Sequence, residues 1–131
     1  KDKFENLIDR MRDFAEKNLE RKNITHDFQA FGIDGKKFIS PQVRQNIYLI
    51  FKEAITNIIK HSNAKHVVIR FSQEGNHINL MVKDDGTDQK VVRSDGQGLL
   101  NMEMRAKKIG GSIKVKNEEG YLVELKVDRD S

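Results

Sequence analysis

Apolar residues recur at every third or fourth position in three segments of the chain, and this spacing predicts three amphipathic helices. The helices are expected at about residues 4–21, 41–60 and 99–109. The second follows Ser40 and starts with Pro41, two residue types suited to the cap and the first turn of a helix. The third stops at a pair of glycines, which commonly end helices. The second helix has the broadest apolar face, so it should be mostly buried.

Apolar and polar residues alternate in five other segments, and this pattern predicts strands. The strands are expected at about residues 23–31, 65–72, 76–84, 112–116 and 121–127. A few polar residues with a glycine separate the second strand from the third and the fourth from the fifth, as in β-hairpins. The order of these elements predicts an α/β (α+β) fold. We expect a two-layer sandwich, with a mixed, mostly antiparallel sheet of about five strands and three helices on one face.

A polar stretch at residues 85–98 separates the third strand from the third helix. It contains three glycines, three aspartates and only one apolar pair, Val91 and Val92. A loop of this length in a small domain is typically a lid or a binding loop. We therefore expect residues 86–98 to form a lid over a ligand.

The composition narrows the class of protein. A length of 131 residues suits one domain with its own core, so residues 1–131 are treated as a single domain. The absence of cysteine excludes disulfides and thiolate metal sites and favours a reducing, cytoplasmic setting. The net charge of +4 is spread along the chain, without the basic block of a nucleic-acid-binding arm, so no nucleic-acid partner is expected. Because the chain begins with Lys1 and not Met, we expect it to be a piece of a longer protein.

Polar side chains share one face of the second predicted helix. Glu53, Asn57 and either Lys60 or His61 follow one another at spacings of three or four residues. An amide oxygen is a hard ligand for magnesium, a carboxylate holds a water or a proton, and a cation meets phosphate oxygens. The pattern is therefore compatible with a magnesium and phosphate site. Taken alone, it is more typical of a solvated helix face with a surface ion pair.

Two further motifs combine polar residues with glycines at the ends of the long loop. Asp84 ends the third strand, and Gly86 follows two residues later. The Asp84 carboxyl can accept a hydrogen bond from an amino group, and Gly86 lets a flat ring approach the backbone. Gly96 and Gly98 open the third helix, whose exposed N–H groups suit a polyphosphate. The alternative for the first motif is an ordinary Asp-Gly turn, and for the second a flexible linker with a helix cap. Taken alone, each motif leaves both the binding role and the structural role open.

The order and separation of the three motifs are more specific than any one of them. Glu-x-x-x-Asn, Asp-x-Gly and Gly-x-Gly-Leu in this order resemble the ATP-binding domain of sensor histidine kinases, part of a group that includes gyrase and the MutL mismatch-repair ATPases. Over about residues 41–127, IFKEAITNIIKHSNAKHVVIRF is similar to the N box of that family, VKDDGTD to its first glycine box and GQGLLNMEMRAKKIGGSIKV to its second. The Lys60-His61-Ser62 ending and the Leu-Leu-Asn-Met helix start are similar to the nitrate-sensor and DesK-like branch.

The resemblance implies a Bergerat-type fold, ATP and Mg²⁺ as cofactors, and roles for particular residues. Asn57 would coordinate magnesium, and Glu53 would be the acidic residue of the N box, a catalytic base or a holder of water. Asp84 would accept a hydrogen bond from the adenine amino group. The other implied nucleotide-binding residues face the phosphates, lie beside the ring or flank the lid: Lys60, His61, Gly86, Gly96, Gly98 and Leu99.

Two positions depart from the family pattern. Asp88 stands where the family often has a second glycine, which suggests a shorter or differently shaped lid. Tyr121 follows Gly120 where the family often has threonine. This substitution leaves in question the hydroxyl that usually supports the adenine-binding aspartate.

The resemblance implies that the γ-phosphoryl group of ATP passes to a histidine on a separate dimerisation domain of the parent protein, and then to an aspartate of a response-regulator receiver domain. His26, followed by Asp27, superficially matches the phosphoacceptor pair of this branch, but it lies in a predicted strand. The acceptor is therefore expected upstream of Lys1.

Residues 1–21 would be the first helix of the domain or the tail of a linking helix. The parent protein is expected to be membrane-anchored, and the isolated fragment monomeric or weakly associating. Two alternatives remain: a stand-alone serine kinase of the anti-sigma type, and a binding module with a vestigial nucleotide site.

Overall fold

The computed structural model describes residues 2–87, 97–117 and 119–128. These residues form three helices and five strands in the predicted order. The helices are α1 (Phe4–Glu20), α2 (Pro41–His61) and α3 (Gln97–Lys108). The strands are β1 (Thr25–Phe31), β2 (His66–Glu74), β3 (His77–Asp84), β4 (Gly111–Asn117) and β5 (Tyr121–Asp128).

The first strand begins later than the alternation predicts. Asn23 adopts a left-handed backbone with φ of 59°, and the N–H of Ile24 donates to the carbonyl of Leu19 at 3.0 Å. Both features belong to a tight turn that follows α1. The extended conformation therefore starts only at Thr25.

The third helix begins two residues earlier than predicted, at Gln97, so that Gly98 lies in its first turn. Residues 88–96 of the predicted lid, with Asp88 and Gly96, lie outside the described residues. The described part of the lid is therefore limited to its two ends.

The strand order in the sheet is β1-β2-β3-β5-β4. β1 pairs with β2 in parallel, and the other three neighbouring pairs are antiparallel. A parallel pair needs a long crossover, and the segment containing α2 supplies it between β1 and β2. The prediction of a mixed, mostly antiparallel five-stranded sheet is confirmed.

The core lies between one face of the sheet and the helices. Alternate residues of β2, Val67, Ile69 and Phe71, are fully buried, and β3 and β5 show the same alternation. The buried face of α2 packs against them through Ile47, Ile50, Phe51, Ala54, Ile55 and Ile58. No helix of the described residues covers the other face, so the predicted two-layer sandwich is confirmed. None of the described helices has both the length and the apolar character needed to cross a membrane.

Hydrogen bonds fix both ends of α2. At the start, Ser40 Oγ accepts from the N–H of Val43 at 3.3 Å, and Pro41 occupies the first turn, as predicted. At the end, the N–H of Ser62 donates to the carbonyl of Ile58 at 3.0 Å. The chain then turns towards the start of β2, which brings residues 62–65 beside the end of β3.

Candidate functional site

Asp84 is the last residue of β3, and its side chain is almost completely buried, with 2% of its surface exposed. Its Oδ1 accepts from the backbone N–H of Gly86 at 2.8 Å and from that of Tyr121 at 3.0 Å. Its Oδ2 is buried and has no hydrogen-bond partner among the described residues. An unpaired buried acceptor costs about 1–3 kcal/mol, so this oxygen is suited to a donor on a ligand.

Gly86 lies where a side chain has no room. A Cβ added there would collide with Ser62 Oγ and would lie 3.0 Å from Asn63 Oδ1. Asn63 also holds the neighbouring residue, because its Oδ1 accepts from the N–H of Thr87 at 2.8 Å and its Nδ2 donates to Thr87 Oγ1 at 3.2 Å. The loop after α2 therefore fixes the path of the chain directly after Asp84.

Asp85 has a different role from Asp84. Its Oδ1 accepts from the backbone N–H groups of Lys65 and His66 at 2.8 and 3.0 Å, which joins the end of β3 to the start of β2. Burial acts to raise the pKa of this carboxyl. The backbone hydrogen bonds of His66, Lys65 and Asp85 itself, together with the charge of His66, outweigh burial and lower the pKa below its usual value. Asp85 is therefore a structural carboxylate.

The predicted polar stripe of α2 faces the first turn of α3. Asn57 is about nine-tenths buried, and Glu53 lies one turn before it. A Cβ added at Gly98 would lie only 2.6 Å from Glu53 Oε2 and 3.4 Å from Asn57 Nδ2. Glycine at position 98 thus lets α3 approach both side chains. The structure brings these three predicted site residues together.

The other predicted phosphate-facing residues lie at the edge of this group. Lys60 is exposed, His61 is half-buried at the end of α2, and Leu99 is half-buried in the first turn of α3. Gly96, the remaining predicted site residue, lies outside the described residues. The roles assigned to all of these residues stay predictions.

Tyr121 connects the two groups of site residues. It is the first residue of β5, and 1% of its surface is exposed. Its backbone N–H donates to Asp84 Oδ1, and its hydroxyl accepts from Asn57 Nδ2 at 3.1 Å. The sequence left in question what supports Asp84 without a threonine hydroxyl. The backbone N–H of Tyr121 supplies this support, and it does not depend on the side chain at position 121.

Sequence reasoning missed the contributions of Ser62, Asn63 and Tyr121. A signal existed for Tyr121, because it continues the alternation of the buried residues Val123, Leu125 and Val127, and a buried tyrosine hydroxyl usually has a partner. No comparable signal marks Ser62 and Asn63, whose contacts depend on where the loop after α2 passes β3.

The residues present fit magnesium bound together with a phosphate ligand. The described residues contain no group of three or more His, Cys, Asp or Glu side chains that could hold a metal ion by themselves. Magnesium is usually held by one or two protein oxygens, with waters and substrate phosphates completing its shell. The Asn57 amide and the Glu53 carboxyl are hard oxygen donors of this kind, one helical turn apart.

A cleft of about 490 Å³ opens beside the end of β3, and Asp84 and Gly86 are among the residues that line it. Its lining includes His66, Val68 and Lys83, which alternate with buried residues and point to the face of the sheet away from the helices. Among the described residues, none from α2 or α3 lines this cleft, so it adjoins Asp84 and Gly86 but not Asn57.

Comparison with curated proteins finds sensor kinases of two-component systems. The sensor histidine kinase YvfT of Bacillus subtilis is 38% identical over 83% of this chain and 29% of its own length. The nitrate/nitrite sensor NarX of Escherichia coli is 34% identical over 60% of this chain and 13% of its own length. The sensor histidine kinase DesK of B. subtilis is 33% identical over 63% and 23%, respectively. The chain thus spans less than a third of each relative, and the resemblance to the nitrate-sensor and DesK-like branch is confirmed.

Solved structures show the same fold at lower identity. The catalytic domain of histidine kinase ThkA matches with a TM-score of 0.73 and 16% identity, over 95% of this chain and 90% of that one. Full-length ShkA in complex with AMPPNP matches with a TM-score of 0.70 and 16% identity, over 95% and 29%. The sequence model of one protein family, the histidine kinase-, DNA gyrase B- and HSP90-like ATPases, matches residues 42–131. This range includes every predicted site residue. The chain belongs to this family of ATPases, and its similar relatives are sensor histidine kinases.

Proposed function

We propose that the chain is the ATP-binding catalytic domain of a two-component sensor histidine kinase and that it binds ATP with magnesium. The observation that carries this proposal is the buried Oδ2 of Asp84. It has no hydrogen-bond donor among the described residues, and it lies near Gly86, where there is no room for a side chain. This pairing suits the amino group and the flat ring of adenine. AMPPNP in the similarly folded ShkA structure supports a nucleotide as the ligand.

The base end of the proposed site consists of Asp84 and Gly86. Asp84 Oδ2 would accept from the adenine amino group, while two backbone N–H groups hold Oδ1 in place. Gly86 would let the ring lie against the backbone. Because these groups are set by the strand ends, the base end is preorganised before a nucleotide arrives.

The phosphate end consists of the polar face of α2 and the start of α3. Asn57 would hold magnesium through Oδ1, and Glu53 would hold a water or take up a proton. Lys60 and His61 would meet phosphate oxygens from the end of α2, and Gly96, Gly98 and Leu99 would flank the lid. The backbone N–H groups at the start of α3 are suited to phosphate charge.

ATP would supply the γ-phosphoryl group, and the work of the protein would be positioning and neutralisation of charge. The acceptor would be a histidine on a dimerisation domain of the same parent protein, and a response-regulator aspartate would receive the group next. Within the described residues, His26 lies in β1, at the opposite edge of the sheet from β4 and two strands away from β3. This position supports an acceptor outside this chain.

Titration with AMPPNP, a non-hydrolysable ATP analogue, tests the proposal. We expect the chain to bind it and Asp84→Asn to weaken binding at least about 10-fold. The carboxylate oxygen accepts from the adenine amino group, whereas the NH₂ group of an asparagine would place a second donor against it. Asp85→Asn is the matched control, because it makes the same change one residue away at a carboxyl that serves the fold. This control should bind within about twofold of the parent chain.

Two results would overturn the proposal. The first is no binding by the parent chain, which would indicate a vestigial site. The second is binding that Asp84→Asn does not change, which would place the nucleotide elsewhere.

A further inference from the structure

Tyr121 contacts both ends of the proposed site through different atoms. Its backbone N–H donates to Asp84 Oδ1 at 3.0 Å, and its hydroxyl accepts from Asn57 Nδ2 at 3.1 Å. The hydroxyl contact joins residues 64 positions apart and is buried. A change to the ring therefore alters the contact with Asn57, while the backbone contact with Asp84 remains available.

The orientation of the Asn57 amide decides what it offers to a cation. Its terminal torsion is soft, so rotation exchanges an oxygen that binds cations for an NH₂ group that opposes them. In the structure the NH₂ group is the donor to Tyr121, and Oδ1 receives no hydrogen bond from the described residues. Because the phenol oxygen satisfies the buried NH₂ group, Oδ1 is left for a ligand without the loss of a hydrogen bond.

We propose that Tyr121 is a positioning residue, whose hydroxyl holds the Asn57 amide through its NH₂ group and so keeps Oδ1 available to magnesium. This inference rests on the proposed function and adds a residue to it. The threonine that the family often has at this position carries its hydroxyl on Cβ, next to the backbone. Tyrosine carries it at the far end of the ring, where it reaches α2.

The test is the affinity for AMPPNP with magnesium and in EDTA, for the parent chain and for Tyr121→Phe. The variant removes one oxygen from a buried ring and leaves the base end unchanged. We expect affinity in magnesium to fall about 3- to 10-fold, the effect of one hydrogen bond, and affinity in EDTA to stay within about twofold. Tyr48→Phe is the matched control, since Tyr48 packs beside Arg10 and Phe14 away from the site, and it should change neither affinity.

A double-mutant cycle separates positioning from packing. In an Asn57→Ala background there is no amide to orient, so Tyr121→Phe should cause no further loss of affinity in magnesium.

Three outcomes would overturn the inference: unchanged affinity of Tyr121→Phe in magnesium, an equal loss with and without magnesium, or an undiminished loss in the Asn57→Ala background. Failure of the proposed function would show differently. In that case the parent chain itself would not bind AMPPNP, or Asp84→Asn would leave its affinity unchanged.

Discussion

The two ends of the proposed site are held in different ways. At the base end, backbone N–H groups of Gly86 and Tyr121 orient Asp84, and the absence of side chain at Gly86 provides the space. At the phosphate end, the contacts are between side chains on separate elements, such as the amide of Asn57 and the hydroxyl of Tyr121. The base end therefore depends on the path of the chain, and the phosphate end on individual functional groups.

The largest effect is expected where the path of the chain itself is changed. Gly86→Val places a side chain where even a Cβ collides with Ser62 Oγ, so the strand end or the loop after α2 must move. Overpacking of this kind costs about 1–3 kcal/mol of folding stability. Because the displaced backbone lies beside the adenine-binding groups, we expect the affinity for AMPPNP to fall by up to about 100-fold with or without magnesium. Isothermal titration calorimetry measures both affinities.

Gly75→Ala is the control for this substitution. A Cβ there meets no atom of the described residues within 4 Å, and the strain expected comes from its φ of 60°. It should reduce stability slightly and leave affinity unchanged. An affinity of Gly86→Val close to that of the parent chain would show that the base end does not depend on this glycine.

An intermediate and selective effect is expected at the phosphate end. Asn57→Ala removes the amide oxygen assigned to magnesium while the contacts of Asp84 remain. We expect about a 10-fold loss of AMPPNP affinity in magnesium and little change in EDTA, measured by the same titrations. Asn46→Ala, at another buried asparagine of α2 whose Nδ2 donates to the Gln42 carbonyl at 2.8 Å, serves as the control. A similar loss in EDTA would contradict the division between the two ends.

The smallest effect is expected at Asp85, which lies outside the two ends and joins the end of β3 to the start of β2. Its carboxyl has a lowered pKa in the folded state, so it stabilises the fold above the unfolded pKa of about 3.9, and this stabilisation is lost as pH falls through the folded value. Asp85→Asn should lower the free energy of unfolding by less than about 1 kcal/mol at pH 7, because the group is exposed and screened.

Urea denaturation over a series of pH values from 7 downwards measures this difference. The gap between the parent chain and Asp85→Asn should narrow as the pH falls through the folded pKa of Asp85, because below it both side chains are neutral. A gap that stays the same across the series would indicate that the charge of Asp85 contributes nothing.

Much of the fold follows from local patterns in the sequence. The three- and four-residue spacing in α2 reflects burial of one helix face, and the alternation in β2, β3 and β5 reflects burial of one sheet face. The boundary at Asn23 was not predictable in this way, because a left-handed residue in a turn leaves the alternation of the following residues intact.

The site was predictable only in part, and for a related reason. Asp84, Asn57 and Gly98 lie in motifs within short segments, so sequence reasoning can select them as candidates. The contacts of Ser62 with Gly86 and of Asn57 with Tyr121 depend on how distant segments meet, and no local pattern encodes this meeting.

The long sequence separations within the site link it to folding. The hydrogen bond between Asn57 and Tyr121 closes a loop of 64 residues, and the bond between Tyr121 and Asp84 closes one of 37. Closing such loops costs chain entropy, so these contacts belong to the folded state, in which the packing of the intervening elements offsets that cost. A ligand of this site therefore binds the completed fold alone, and its binding free energy adds to the free energy of unfolding. The concentration of that ligand in a cell would thus help to set the fraction of folded domain.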